Sequence, residues 1–181
     1  MGRIAQPEIK RRLLDACTAH ALQHGLPGQL EPLAVAAGVS TRMLIYHFGS
    51  RDALLRAVLA NARLRQREAF GQLLKPRPDE HYALTLERLW ATMTGRHGRP
   101  YLRMFGQLRH GEVQKLLPDF RRQATTDWLA PLEQGLLSIG RPELATLVLA
   151  VIRGLLQDLD ATGDRARNDQ AFSQFLTFLR T

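Results

Sequence analysis

The chain has 181 residues, 45% of them hydrophobic and 23% charged, with a formal net charge of +8 and a pI near 10.7. That size allows one globular domain or a small head on a larger body, and the composition excludes a chain disordered over most of its length. The basic balance points to an anionic partner, and no uninterrupted apolar run in the sequence approaches the roughly 20 residues of a membrane span.

A first helix is predicted over Glu8–His24: Pro7 suits a first turn, Leu13, Ala16, Cys17 and Ala21 share a face, and Gly25 is a fitting stop. A short second helix is predicted over Leu30–Ala37, with Pro32 tolerable in its first turn and Gly38 at its end. A third runs over Thr41–Phe48 behind Ser40 as N-cap, until Gly49 breaks it. Ser50 then caps a longer fourth helix through about Leu74, and Lys75-Pro-Arg-Pro78 breaks the chain. Asp79 is expected to cap a fifth helix ending near Met93, before a loop over Gly95–Arg99. The remaining stretches are Tyr101–Arg109, Pro118–Leu137, Glu143–Asp160 and Asp169–Leu179. The fold class is therefore all-α, a three-helix head over residues 1–49 on a larger helical body over residues 50–181.

Charge divides unevenly along that order. Residues 1–67 carry ten basic against four acidic groups, +6, while residues 68–181 carry fifteen against thirteen, +2. Cys17 is the sole cysteine, so no intrachain disulfide forms. The N-terminal MGRIAQPEIKRR lacks the apolar stretch of a signal peptide, and a cytoplasmic location is expected.

The informative segment is Leu33-Ala-Val-Ala-Ala-Gly-Val-Ser-Thr-Arg-Met-Leu-Ile-Tyr-His-Phe-Gly-Ser-Arg-Asp-Ala-Leu-Leu55. It reads as two short helices joined at Gly38, Val39 and Ser40, where glycine adopts the left-handed conformation a tight turn needs. Leu44 and Phe48, four apart, form an inward face, which leaves Thr41, Arg42, Met43, Tyr46 and His47 mostly outward. Arg offers a fork to guanine, Thr and Met methyls can touch a thymine methyl, and Tyr, His and Thr can donate to phosphate. The same pattern also fits the solvated face of an ordinary helical hairpin.

Over about Ile9 to Leu59 the segment resembles the N-terminal signature of the TetR family of bacterial regulators. That signature is Ile/Leu-Ala-x-x-Ala-Gly-Val-Ser, then Leu-Tyr-x-His/Tyr-Phe, then Lys/Arg, an acid and Leu-Leu. A closing pattern, Arg153-Gly-Leu-Leu-Gln-Asp-Leu-Asp-Ala-Thr-Gly-Asp164, resembles the family's penultimate helix. The resemblance implies a helix-turn-helix head, with Ser40, Thr41, Arg42, Met43, Tyr46, His47 and Arg51 as DNA-contacting residues, and a regulatory and dimerisation body. Arg51 would hold a phosphate at the start of the fourth helix, and Lys10, Arg11 and Arg12 could touch flanking backbone. The chain departs from the family at Ile45, where a phosphate-contacting Tyr is usual, at Gln29 in place of a Thr cap, and at Arg42, Met43 and Ala21.

The resemblance further implies a homodimer on a palindromic DNA operator, and a repressor released by a small molecule. Ligand candidates are Trp90, Met93, Tyr101, Met104, Phe105, Leu108 and Trp128, whose types suit a mostly apolar ligand. Stripes of Leu144, Leu147, Val148, Val151 and Leu155 on one helix and of Phe172, Phe175 and Leu176 on the next are dimer-interface candidates; intrachain core is the ordinary meaning of such stripes. Cys17, His20 and His24 lack the spacing of a zinc site, and no phosphate loop, nucleophile elbow or His-Glu-x-x-His occurs. No metal, no cofactor and no enzymatic activity are expected. The rival reading is a helical ligand-binding protein or enzyme that kept the fold and lost DNA binding; a third is a helical adaptor.

Overall fold

The computed structural model describes residues 6–106, 116 and 119–181. Among them the elements are α1 (Gln6–His24), α2 (Glu31–Ala37), α3 (Thr41–Phe48), α4 (Arg51–Leu73), α5 (Tyr82–Thr94), α6 (Arg99–Gly106), α7 (Phe120–Leu137), a 3-10 turn (Pro142–Leu144), α8 (Ala145–Thr162) and α9 (Arg165–Arg180). No strand occurs among the described residues, and none of their helices is long and apolar enough to cross a membrane.

The chain divides into two compact units, one of Met1–Arg67 with Arg99–Pro118, the other of Glu68–Gly98 with Asp119–Thr181. The expected seam at residues 49 and 50 therefore lies inside the first unit, which also takes most of α4 and all of α6. In that unit Leu13, Cys17, Ala21, Leu33, Leu44, Leu54, Val58 and Met104 are buried, so α1, α2, α3, α4 and α6 share one core. The α1–α4 contact is also polar: Asn61 donates to Asp15 (3.2 Å) and Thr18 (3.0 Å), and the Arg65 guanidinium pairs with the same Asp15 carboxylate. Arg103 of α6 donates to the Gln23 carbonyl near the end of α1 (3.3 Å).

In the second unit Leu86, Leu132, Leu136, Val148, Ile152, Leu156, Phe172, Leu176 and Leu179 are buried. Tyr82 lies wholly inside, its ring seated where Gly135 of α7 has no side chain: a Cβ there would come within 2.0 Å of the ring. Its hydroxyl donates to the Leu74 carbonyl (3.0 Å), and burial pushes its pKa well above the phenol range.

Two boundaries differ from expectation for a local reason. Asp79 does not cap α5; it sits in the left-handed region (φ 62°) behind Pro78, and the His81 ring accepts the Ala83 N–H instead (3.2 Å). Helix α9 begins at Arg165 rather than Asp169, because Gly163 ends α8 in the left-handed region and Asp164 at once caps the next helix through the Arg167 N–H (3.0 Å). Arg99 and Pro100, expected in a loop and before a helix, form the first turn of α6, and the last expected residues of that helix, 107–109, lie outside the described residues. The start expected at Pro118 falls two residues later, at Phe120, and Glu143 belongs to the 3-10 turn that precedes α8.

Candidate nucleic-acid interface

The turn between α2 and α3 is held by backbone and cap bonds. Gly38 takes φ 66°, and its N–H reaches the carbonyls of Ala34 and Val35. Val39 N–H closes on the Ala34 carbonyl (3.0 Å), so α2 ends in a tight left-handed cap. Ser40, in extended conformation, then accepts the Met43 N–H on its hydroxyl (3.2 Å) and starts α3. Gly49 (φ 86°) ends α3 by returning its N–H to the Ile45 carbonyl (2.7 Å), and Ser50 caps α4 through the Ala53 N–H (3.1 Å).

Leu44 and Phe48 are buried, which fixes the roll of α3 on the head. Tyr46 is then 69% and Met43 43% exposed, Arg42 is exposed, and Thr41, Ile45 and His47 are half-buried. The Tyr46 and His47 rings meet edge to face at 5.2 Å. Lys10 of α1 places its ammonium 5.2 Å from the centre of the Phe48 ring. All six outward candidates from Ser40 to His47 thus sit on one short helix and its cap.

Arg51 stands exposed at the first position of α4. Its Nε and Nη2 donate to the Gly28 carbonyl (3.2 and 2.9 Å), and Nη1 lies 3.4 Å from the Asp52 carboxylate. The guanidinium ties the α1–α2 connection to the start of α4. Val35, on the outer side of α2 and 81% exposed, is a residue the sequence reading passed over; its place opposite Leu33, Ala34 and Ala37 was the available signal.

Cys17 is wholly buried, its thiol 3.7 Å from the Leu33 carbonyl, and burial pushes it up to about 11. The sulfur is part of the α1–α2 packing. The His20 and His24 rings lie 4.7 Å apart at a tilt of 39°, and burial together with the second ring lowers the His20 pKa.

The ligand candidates do not gather within one unit. Tyr101, Met104 and Phe105 belong to the first, Trp90, Met93 and Trp128 to the second, and Leu108 lies outside the described residues. Met104 and Phe105 are buried core. Trp90 is also buried, stacked on Phe172 at 4.7 Å, with its N–H donating to Asp169 (2.7 Å). Met93, Tyr101 and Trp128 keep some open surface. Burial raises the Tyr101 pKa, with Arg65 pulling the other way.

The dimer candidates separate likewise. Val148, Phe172 and Leu176 are buried inside their own unit, Phe172 against Trp90 of α5. Leu147 is 43% exposed, and Leu144, Val151, Leu155 and Phe175 are half-buried. Phe178, passed over in the sequence, is 48% exposed and lies under the Arg141 guanidinium at 5.2 Å. Gly154 has open space where a Cβ would stand, between Val151 and Leu155 on the outward side of α8.

No protein-family model matches the sequence, and no curated protein sequence does. Solved structures match the fold over nearly the whole chain. A transcriptional regulator from Rhodococcus sp. Rha1 has a TM-score of 0.70 at 20% identity, covering 94% of this chain and 95% of that one. The TetR transcriptional regulator of Streptomyces coelicolor has 0.61 at 23% identity, covering 94% and 97%. The multidrug binding protein EbrR, complexed with imidazole, has 0.65 at 22% identity, covering 96% and 90%.

Proposed function

This chain has the all-α fold of the TetR transcriptional regulators, and from that premise we propose that it belongs to that family and is a dimeric repressor, released from a palindromic operator by a small, mostly apolar ligand. The observation that carries the proposal is the head itself. A left-handed turn at Gly38 and a capped α3 present Arg42, Met43 and Tyr46 on one exposed face, in the third of the chain that holds most of the excess positive charge. Residues 1–49 carry the reading helix, and residues 50–181 carry regulation and dimerisation. The partners are duplex DNA, a second copy of the chain and a ligand; the function needs no metal, cofactor or catalytic group.

Two-fold symmetry sets the operator: two α3 helices about 34–36 Å apart read adjacent major grooves. Leu147, Val151, Leu155, Phe175 and Phe178 form an outward apolar surface suited to a second copy. EbrR is described as a multidrug binding protein; for this chain, Met93 and Trp128 of the second unit, which keep open surface, are candidate contacts for an apolar ligand. Such a ligand releases DNA only by binding the released state more tightly, and by linkage DNA weakens the ligand by the same factor.

Selection of the full chain against random duplexes tests the reading. The expected result is an enriched, symmetric sequence bound with a steep salt dependence. Arg42→Ala should then cost about 1–3 kcal/mol at one base position of each half-site, whereas a phosphate contact such as that proposed for Arg51 weakens all sequences alike. Absence of any enriched symmetric sequence leaves a helical ligand-binding protein as the surviving reading.

A further inference from the structure

The roll of α3 is set by two buried side chains, and this decides which chemistry faces outward. At about 100° per residue, Arg42 and Tyr46 lie together on the side opposite Leu44 and Phe48, with Met43 on one flank and Ile45 on the other. Thr41, half-buried, sits nearer the head, while Ile45 and His47, equally half-buried, stand at the two edges of the outward face. The outward face thus holds one guanidinium, one phenol and two apolar side chains with an imidazole at its edge, and no residue of α3 is Asn, Gln, Asp or Glu.

The major groove offers each base a different edge: Asn or Gln suits adenine, an acid suits cytosine, Arg suits guanine, and apolar side chains suit the thymine methyl. A face with a single cation between two apolar flanks leaves two of those edges without a direct reader. We infer that α3 reads one guanine through Arg42 and the C5-methyl groups of neighbouring thymines through Met43 and Ile45, with the Tyr46 ring between them. Ile45, a departure from the family signature, is on this account a specificity-determining residue. The inference rests on the DNA-binding function proposed above and names the duplex that function selects: one whose half-sites set thymine methyls beside a guanine.

The test uses the intact protein and the duplex it selects from random DNA. Each thymine of a half-site is replaced in turn by deoxyuridine, which removes the methyl group and keeps the hydrogen-bonding edge. Burial of one methyl corresponds to about a fourfold change in affinity, so the expected result is a loss of about fourfold at each of one or two positions per half-site and none elsewhere. Met43→Ala and Ile45→Ala should each weaken binding to the thymine duplex and abolish the deoxyuridine penalty at one position. Helix content and non-specific binding should stay as in the parent, since neither side chain is fully buried. The substitution in the DNA needs no variant, so a variant that fails to fold does not spoil the test. A selected duplex whose affinity is unchanged when every thymine is replaced overturns this inference and leaves the regulator standing. A penalty that persists in both variants also overturns it. Failure to select any duplex overturns the DNA-binding function itself, and this reading with it.

Discussion

Helices α3 and α8 each bury one side and turn another outward, but the outward sides differ in kind. That of α3 mixes Arg42 and Tyr46 with Met43 and Ile45; that of α8 is mostly apolar, with Leu147, Val151, Gly154 and Leu155 followed by Asp158 near its C-terminal end. A duplex presents phosphates, polar base edges and methyl groups together, so a mixed face on a short, well-capped helix suits it. A mostly apolar face gains chiefly by leaving water, and a second apolar face is what lets it do so. The contrast teaches that amphipathicity alone does not assign a helix; the chemistry of its outer side does.

The largest expected effect attacks the apolar side. Val151→Asp places a charge at the centre of the α8 face and should give monomers, and loss of two-point attachment should lower operator affinity about 100-fold or more. Leu147→Asp, at a more exposed position, controls for folding. Sedimentation that finds both variants dimeric and folded would move the interface away from α8.

Next comes the packing behind that face. Gly135→Ala forces a Cβ into the buried Tyr82 ring, whose hydroxyl is already engaged by Leu74. The cost should be about 1–3 kcal/mol by denaturant midpoint, with α3 intact and DNA affinity at saturating dimer unchanged. Ser40→Ala strikes the other side of the comparison. It removes the cap that accepts the Met43 N–H and should cost about 1 kcal/mol, felt as weaker DNA binding more than as lower global stability. Equal losses in both readouts would show that α3 is no more sensitive than the rest.

The smallest effect separates the two units by pH. His20, in the first, has its pKa lowered from 6.5 by burial and by the nearby His24. Its contribution is present above 6.5 and lost as the pH falls through the lowered folded value. Asp158, in the second, has its carboxyl lowered from 3.8 by hydrogen bonds from Arg167 and Asn168, so its contribution holds until the pH drops below 3.8. Hydrogen exchange should therefore report loosening of α1 in mild acid and of the α8–α9 junction only in strong acid. Simultaneous loosening of both would break the distinction.

The amino-acid sequence by itself determined the helical class, the left-handed turn at Gly38, the Ser40 and Ser50 caps and the inward pair Leu44 and Phe48, because each depends on residues within a turn or two of one another. It marked the stripes of α8 and α9 but not their division into an inner and an outer side: Val148 and Leu147 are neighbours in both the pattern and the chain, yet one is core and the other faces water. Only the packing of α7, α8 and α9 decided that. Tertiary structure alone likewise tied Arg51 to Gly28, twenty-three residues away, and took Trp90 into a stack on Phe172 with a bond to Asp169. A side chain's partner across such separations follows from how whole helices rest on one another, and local periodicity carries no record of it.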